Sequence, residues 1–66
     1  MLPIAAIERI VRRAGVERIS ADALKELEKV IEEMGIQLAR ESALVAKHAG
    51  RRTILGKDVK LASGKA

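Results

Sequence analysis

From Ala21 to His48 the chain runs about 28 residues with no proline and only one glycine, Gly35. Leu24, Leu27, Ile31, Met34 and Leu38 follow one another three or four positions apart, and the stripe continues through Ser42, Val45 and Ala49. Lys25, Glu28, Lys29, Glu32, Glu33 and Arg40 fall on the other side. This spacing predicts one amphipathic helix, roughly 42 Å long. A compact globule of this chain length has a radius of gyration of roughly 11 Å, hence a diameter of roughly 28 Å. The helix is longer than such a globule, and the short flanking segments cannot cover its apolar face. A second copy can. Two long helices crossing antiparallel near Met34 and Gly35 would each bury Leu24, Leu27, Ile31, Met34 and Leu38. A helical glycine costs about 1 kcal/mol relative to alanine, and close backbone approach at the crossing gives Gly35 a use. The alternative is a tolerated surface glycine. Its place four residues after Ile31, on the apolar side, favours the crossing.

The flanks read as two shorter helices. Ile4, Ile7, Val11 and Ala14 repeat at three, four and three, after a Pro3 suited to a first turn, and Gly15 stops this helix after about eleven residues. Val16–Ser20 (VERIS) links it to the long helix, with Ser20 as N-cap and Asp22 favourably placed in the first turn. Ala49-Gly50 ends the long helix. Arg51–Ile54 reads as extended because Thr53 and Ile54 are β-branched. A last helix covers about Gly56–Ser63, with Val59, Leu61 and Ala62 as inward candidates. Its start is weak, since Leu55 is a poor N-cap and Gly56 a poor helix former, and Asp58 offsets this in part. One domain spans 1–66, and the class is all-α.

Composition narrows what such a domain can do. The chain has 66 residues and no Phe, Trp, Tyr or Cys. An aliphatic core of this size is marginal on its own. Disulfides and thiolate metal sites are excluded, and one histidine makes no zinc cluster. No metal or other cofactor is expected, and oligomerisation is the remaining staple. Thirteen Lys and Arg against nine Asp and Glu give a net charge of +4. This points to an anionic partner, most often nucleic acid, or else to an ordinary soluble surface. No apolar run approaches a membrane span and no signal-peptide h-region is visible, so no membrane association and an intracellular location are expected. There is no paired-carboxylate pocket and no glycine-rich phosphate loop, so an enzyme is not expected.

The order of the motifs is more specific than any one of them. LPIAAIERIVRRAG, then VERIS, then KHAGRRTI, then KDVKLA closely resembles the archaeal histones, and through RRTI and KDVKLA more loosely the eukaryotic core histones. The resemblance covers nearly the whole chain. It implies the histone fold: short helix, loop, long central helix, loop, short helix, assembled as a handshake dimer. It further implies a cytoplasmic, chromosome-associated architectural protein of the nucleoid that wraps or compacts double-stranded DNA into nucleosome-like particles. Partners would be DNA, a second copy or a paralogous histone, and further dimers in a tetramer or longer polymer. The other function open to such a chain is a histone-fold heterodimerisation module within a multiprotein complex. Three departures from the family pattern stand out. Leu55-Gly56 replaces a polar residue and alanine, Lys57 stands where many relatives carry an acid, and the ending LASGKA is short.

Residue by residue, the resemblance implies that Arg9 and Arg12 of the first helix face DNA, with Arg13 a weaker addition. Arg18 of the first loop would lie near the minor groove, and Arg52 and Thr53 of the second loop on phosphate. Ser20 would cap the long helix, contact phosphate, or both. Arg51 would clamp Asp58. VERIS and RRTI would pair between the two protomers, which suits the β-branched Ile19 and Ile54. Leu44, Val45, His48 and Asp58 would meet a neighbouring dimer, and Gly15 would allow close stacking. The adjacent arginines of HAGRRTI are therefore expected to differ, Arg51 serving stability and Arg52 DNA affinity.

Overall fold

A computed structural model describes residues 2–64, and among these the chain is all-α: α1 (Ile4–Arg13), α2 (Ala21–His48) and α3 (Gly56–Ser63). The chain divides into two compact units, Met1–Glu33 and Met34–Ala66, and α2 is one unbroken helix through the boundary.

In the first unit Pro3 is the N-cap rather than a residue of the first turn. Its extended backbone leaves its carbonyl to accept the N–H groups of Ala6 (3.1 Å) and Ile7 (3.4 Å). Ile7 and Val11 are buried, while Ile4 and Ala14 stay exposed. Ala14 lies past the last helical residue, in the turn that reverses the chain, so α1 has ten residues. That turn is a Schellman motif. The Gly15 N–H donates to the Arg12 carbonyl (3.0 Å) and the Val16 N–H to the Val11 carbonyl (3.3 Å). Gly15 sits at φ +82°, where a side chain would be strained. Ser20 opens α2, its Oγ accepting the Ala23 N–H at 3.2 Å. A further tie is invisible to periodicity: the Leu2 N–H donates to Glu28 Oε1 at 3.2 Å, fastening the segment before α1 to α2.

In the second unit Ser42 and Ala46 are the buried positions of α2, with Leu38 and Val45 half-buried beside them. Ser42 is accommodated because its Oγ donates to the Leu38 carbonyl at 2.8 Å, one turn earlier. The stripe therefore ends at Ala46 and not at Ala49, which is exposed in the closing turn. A second Schellman motif follows, from the Gly50 N–H to the Lys47 carbonyl and from the Arg51 N–H to the Ala46 carbonyl, both 2.9 Å. Gly50, at φ +74°, has the same reason to be glycine as Gly15. Beyond it the chain does not run straight but bends at Arg52 and Thr53. In α3 the side chains turned inward are Asp58 and Ala62, one turn apart, whereas Leu61 is 64% exposed.

Among the described residues the buried apolar side chains are Ile7, Val11 and Ala46. Met34, Leu44 and Leu61 are more than half exposed. Leu24, Leu27, Ile31 and Leu38 are half-buried. Helix α2 thus keeps much of its apolar face outside the single chain. A Cβ added at Gly35 would meet nothing within 4 Å, so the chain's own packing gives no reason for glycine there. Replacing Ser20 by alanine removes an N-cap, and should cost about 1 kcal/mol and lower Tm by about 4–8 °C. Thermal melting by circular dichroism measures this, and an unchanged Tm would show that the cap contributes nothing.

Candidate nucleic-acid interface

The second loop is the most fully bonded site. Arg51 and Asp58 form a fork-to-fork pair, Nη1 donating to Oδ2 and Nη2 to Oδ1, each at 2.8 Å. The Asp58 side chain is 2% exposed and that of Arg51 28%. Oδ2 also accepts the Leu55 N–H at 2.7 Å. This is half of a capping box, supplied from the third helical position, and it lets α3 begin after a leucine that has no side-chain acceptor. Arg51 Nη1 donates in addition to the Thr53 carbonyl at 3.1 Å. One guanidinium thus holds the carboxylate of α3 and the backbone of the loop.

The electrostatics follow from these contacts. The Arg51 guanidinium first, and the Leu55 N–H second, hold the Asp58 carboxyl at about 2, below its ordinary 3.8, although burial pushes the other way. The hydrogen bond with Asp58 likewise raises Arg51 above its ordinary value, against an opposing effect of burial. The charge of Arg51 is matched within the chain. Arg52 and Thr53, at the bend, are exposed.

In the first unit Arg9, Arg12, Arg13 and Arg18 are all exposed. Arg12 lines a shallow groove with Glu8, Val11, Val16, Glu17 and Ile19, so two carboxylates share its surroundings. Ser20 is committed through its Oγ to Ala23. No acid lies in the first turn of α1. Gly15 is exposed in its turn, and His48 is exposed at the end of α2. Leu44 is 58% exposed, and Val45 lines an open apolar depression with Lys57, Asp58, Lys60 and Leu61. Two participants escaped sequence reasoning. The Thr53 carbonyl was missed because a main-chain acceptor has no signature in the residue type. In the sequence Glu28 reads as a member of the charged face of α2, and only the course of the chain before α1 brings Leu2 to it.

The arrangement is a three-helix chain with capped turns, cations on α1 and both loops, and an apolar face left open along α2. The family model described as histone-like transcription factor (CBF/NF-Y) and archaeal histone matches residues 1–62, and the chain belongs to that family. It is 48% identical over 61 residues to one of the chains of archaeal histone HAN1 of Thermococcus zilligii, covering 92% of this chain and 91% of that one. It is 43% identical, with the same coverage, to the probable archaeal histone 3 of Methanocaldococcus jannaschii. Histone H4 of Dictyostelium discoideum is 41% identical over 54 residues, which is 82% of this chain and 50% of that protein.

The depressed Asp58 carboxyl predicts an acid limb of stability. A group held below its ordinary value stabilises the fold fully above the unfolded value, here 3.8, and loses that contribution as pH falls towards the folded value of about 2. Thermal melts from neutral pH downward should show Tm falling through this window, and falling less steeply in Asp58→Asn. Parallel curves for parent and variant would remove Asp58 as the cause.

Proposed function

We propose that the chain is an architectural DNA-binding protein. It dimerises by a handshake of its long helices and wraps or compacts double-stranded DNA into nucleosome-like particles, as a chromosome-associated component of the cell. The observation that carries this reading is the division of labour in the second loop. Arg51 is matched by Asp58, while Arg52 and Thr53 next to it stay exposed. A loop that neutralises one arginine and leaves its neighbour outward suits a phosphate backbone.

Neutralising phosphates releases condensed counterions, which gives affinity without base readout. Arg9 and Arg12 supply charge from α1, Arg18 from the first loop near the minor groove, and Arg52 with the Thr53 hydroxyl from the second. Ser20 adds a hydroxyl only where capping leaves its O–H free to donate. Arginines set into inward-facing minor grooves are the device by which the eukaryotic histone octamer holds DNA. The dimer buries Leu24, Leu27, Ile31, Met34 and Leu38 and crosses at Gly35, with a second copy or a paralogous histone as partner. Larger assemblies use Leu44, Val45 and His48 between dimers, and Gly15 where turns stack. Asp58 already accepts three donors on its two oxygens, so a neighbouring His48 has one lone pair of Oδ1 to reach.

The family description also covers transcription factors, which keeps open a heterodimerisation module of a multiprotein complex. Sedimentation of the purified chain with and without duplex DNA separates the two. A chain that stays unfolded until another protein is added supports the module. For the architectural function, log K should fall linearly with log salt, by about 0.9 per phosphate contacted. Arg9→Ala and Arg52→Ala should each lower that slope by about 1.8 per dimer, about 0.9 for each protomer, and weaken binding alike on unrelated sequences. A flat salt dependence would falsify the proposal. Gly35→Leu should weaken the dimer, seen as a lower and more concentration-dependent Tm. An undiminished dimer would place the crossing elsewhere.

A further inference from the structure

In the second unit Val45 of α2 lines an open apolar depression with Lys57, Asp58, Lys60 and Leu61 of α3. Leu61, and Leu44 next to Val45, are more than half exposed beside it. The charges left around the depression are of one sign. Asp58 is 2% exposed, and its oxygens are taken by Arg51 and the Leu55 N–H. Lys57 and Lys60 are exposed, and neither forms an ion pair among the described residues. His48, three residues after Val45 and so on the same side of α2, is exposed and brings no negative charge. The whole second unit carries seven Lys and Arg against two acids. The acid other than Asp58 is Glu41, which accepts from Gln37 Nε2 at 3.1 Å.

A two-fold contact with a second copy sets this surface against itself. Lysines of both copies would then surround one apolar centre with no carboxylate to meet them, and like charges across an interface oppose association. We infer that the depression is a docking site for an acidic protein surface: it takes an exposed apolar side chain framed by carboxylates, and turns away its own copy. The inference rests on the reading above that this end of the chain meets other dimers, and names the partner by its charge. The chain's own acidic stretch in α2 is a poorer occupant, because two of its carboxylates are engaged. Glu28 holds the Leu2 N–H, and Glu26 pairs with Lys29 at 3.8 Å. A phosphate backbone offers charge to the lysines but no apolar side chain to fill the depression.

The probe is the chain itself carrying Lys57→Glu and Lys60→Glu, which frames the same Leu61 with carboxylates. The two reversals take the net charge from +4 to zero, so overall attraction to the parent does not drive pairing. Sedimentation at about 50 mM salt, where charges are weakly screened, should show parent alone and variant alone each at the size of one dimer. Their mixture should form a species of twice that mass. Its affinity should exceed that of parent for parent roughly tenfold, the effect of a few exposed ion pairs, and it should dissociate as salt rises towards about 500 mM. A mixture that stays dimeric overturns the inference, and so does pairing that survives Leu61→Ala in both partners. A parent that doubles its mass as readily as the mixture, or grows into a ladder on its own acidic stretch at low salt, overturns it as well. Lys57→Ala with Lys60→Ala should leave the salt slope of duplex binding at that of the parent; a slope lower by about 0.9 for each lysine removed would assign both to phosphate instead. Should the reversed variant not fold by circular dichroism, the parent decides. Self-association that is stronger at about 500 mM than at about 50 mM salt, or absent at both, upholds repulsion between copies, and self-association that fades with salt overturns it. A parent that sediments as a monomer and still pairs with the variant upholds the docking site and places the fault in the proposed handshake.

Discussion

A carboxylate almost wholly removed from water is the feature on which the second half of the chain depends. An ionised Asp58 in that position needs donors, because desolvation disfavours its charge. It finds three: both terminal nitrogens of Arg51 and the N–H of Leu55. Each donor comes from a place the fold must define. Arg51 follows the closing turn of α2, and Leu55 is the residue from which α3 starts. Satisfying one buried charge therefore sets the distance and direction between two helix ends. Such a pair is weak evidence for stability over an apolar replacement of the same shape. Its value is directional, since a bidentate fork accepts one geometry where an apolar contact accepts many.

The two loops leave their helices by the same device and then part. Each opens with Ala-Gly, and each glycine takes positive φ in a Schellman motif. The next residue differs. Val16 carries an apolar side chain out of α1, whereas Arg51 carries a guanidinium out of α2. The helices that follow are capped in opposite senses. At α2 the side chain of the N-cap, Ser20, accepts an N–H from the third helical position. At α3 the side chain of the third helical position, Asp58, accepts the N–H of the N-cap. The second loop thus has its cap and its tether in a single residue, while the first depends on Ser20 for its cap.

Where the helices begin and end was legible because their punctuation is local. Ser20 and Gly50 bracket α2, and Gly15 closes α1. The start of α3 read as weak because Leu55 and Gly56 are unsuitable one by one, and the remedy lies three residues on and depends on Arg51. Burial was less legible. Ala46 is buried and Ala49 is not, because the helix ends before the apolar spacing does. Leu61 is mostly exposed while Asp58 beneath the same helix is buried, the reverse of a ranking by hydrophobicity. Residue type could not order them, because the site of Asp58 is set by its partner. For the candidate site, the cations were legible from the order of the motifs, whereas the Thr53 carbonyl needed coordinates.

Charge along the chain separates the two surfaces that the proposed function requires. Residues 21–41 carry six acids and three bases, while the remainder carries ten bases and three acids. The acidic stretch is the part of α2 that holds Leu24, Leu27, Ile31, Met34 and Leu38. The basic remainder holds α1, both loops and α3. A polyanion is repelled by the first and drawn to the second before any contact forms, and steering of this kind weakens as salt rises. The same division leaves the apolar face of α2 to another protein surface. With so few apolar side chains buried in the single chain, folding and pairing are best treated as one equilibrium, whose position depends on concentration. DNA bound to the paired form then stabilises the fold by mass action. The cations on α1 and the loops would in this way add to the stability of a core that none of them enters.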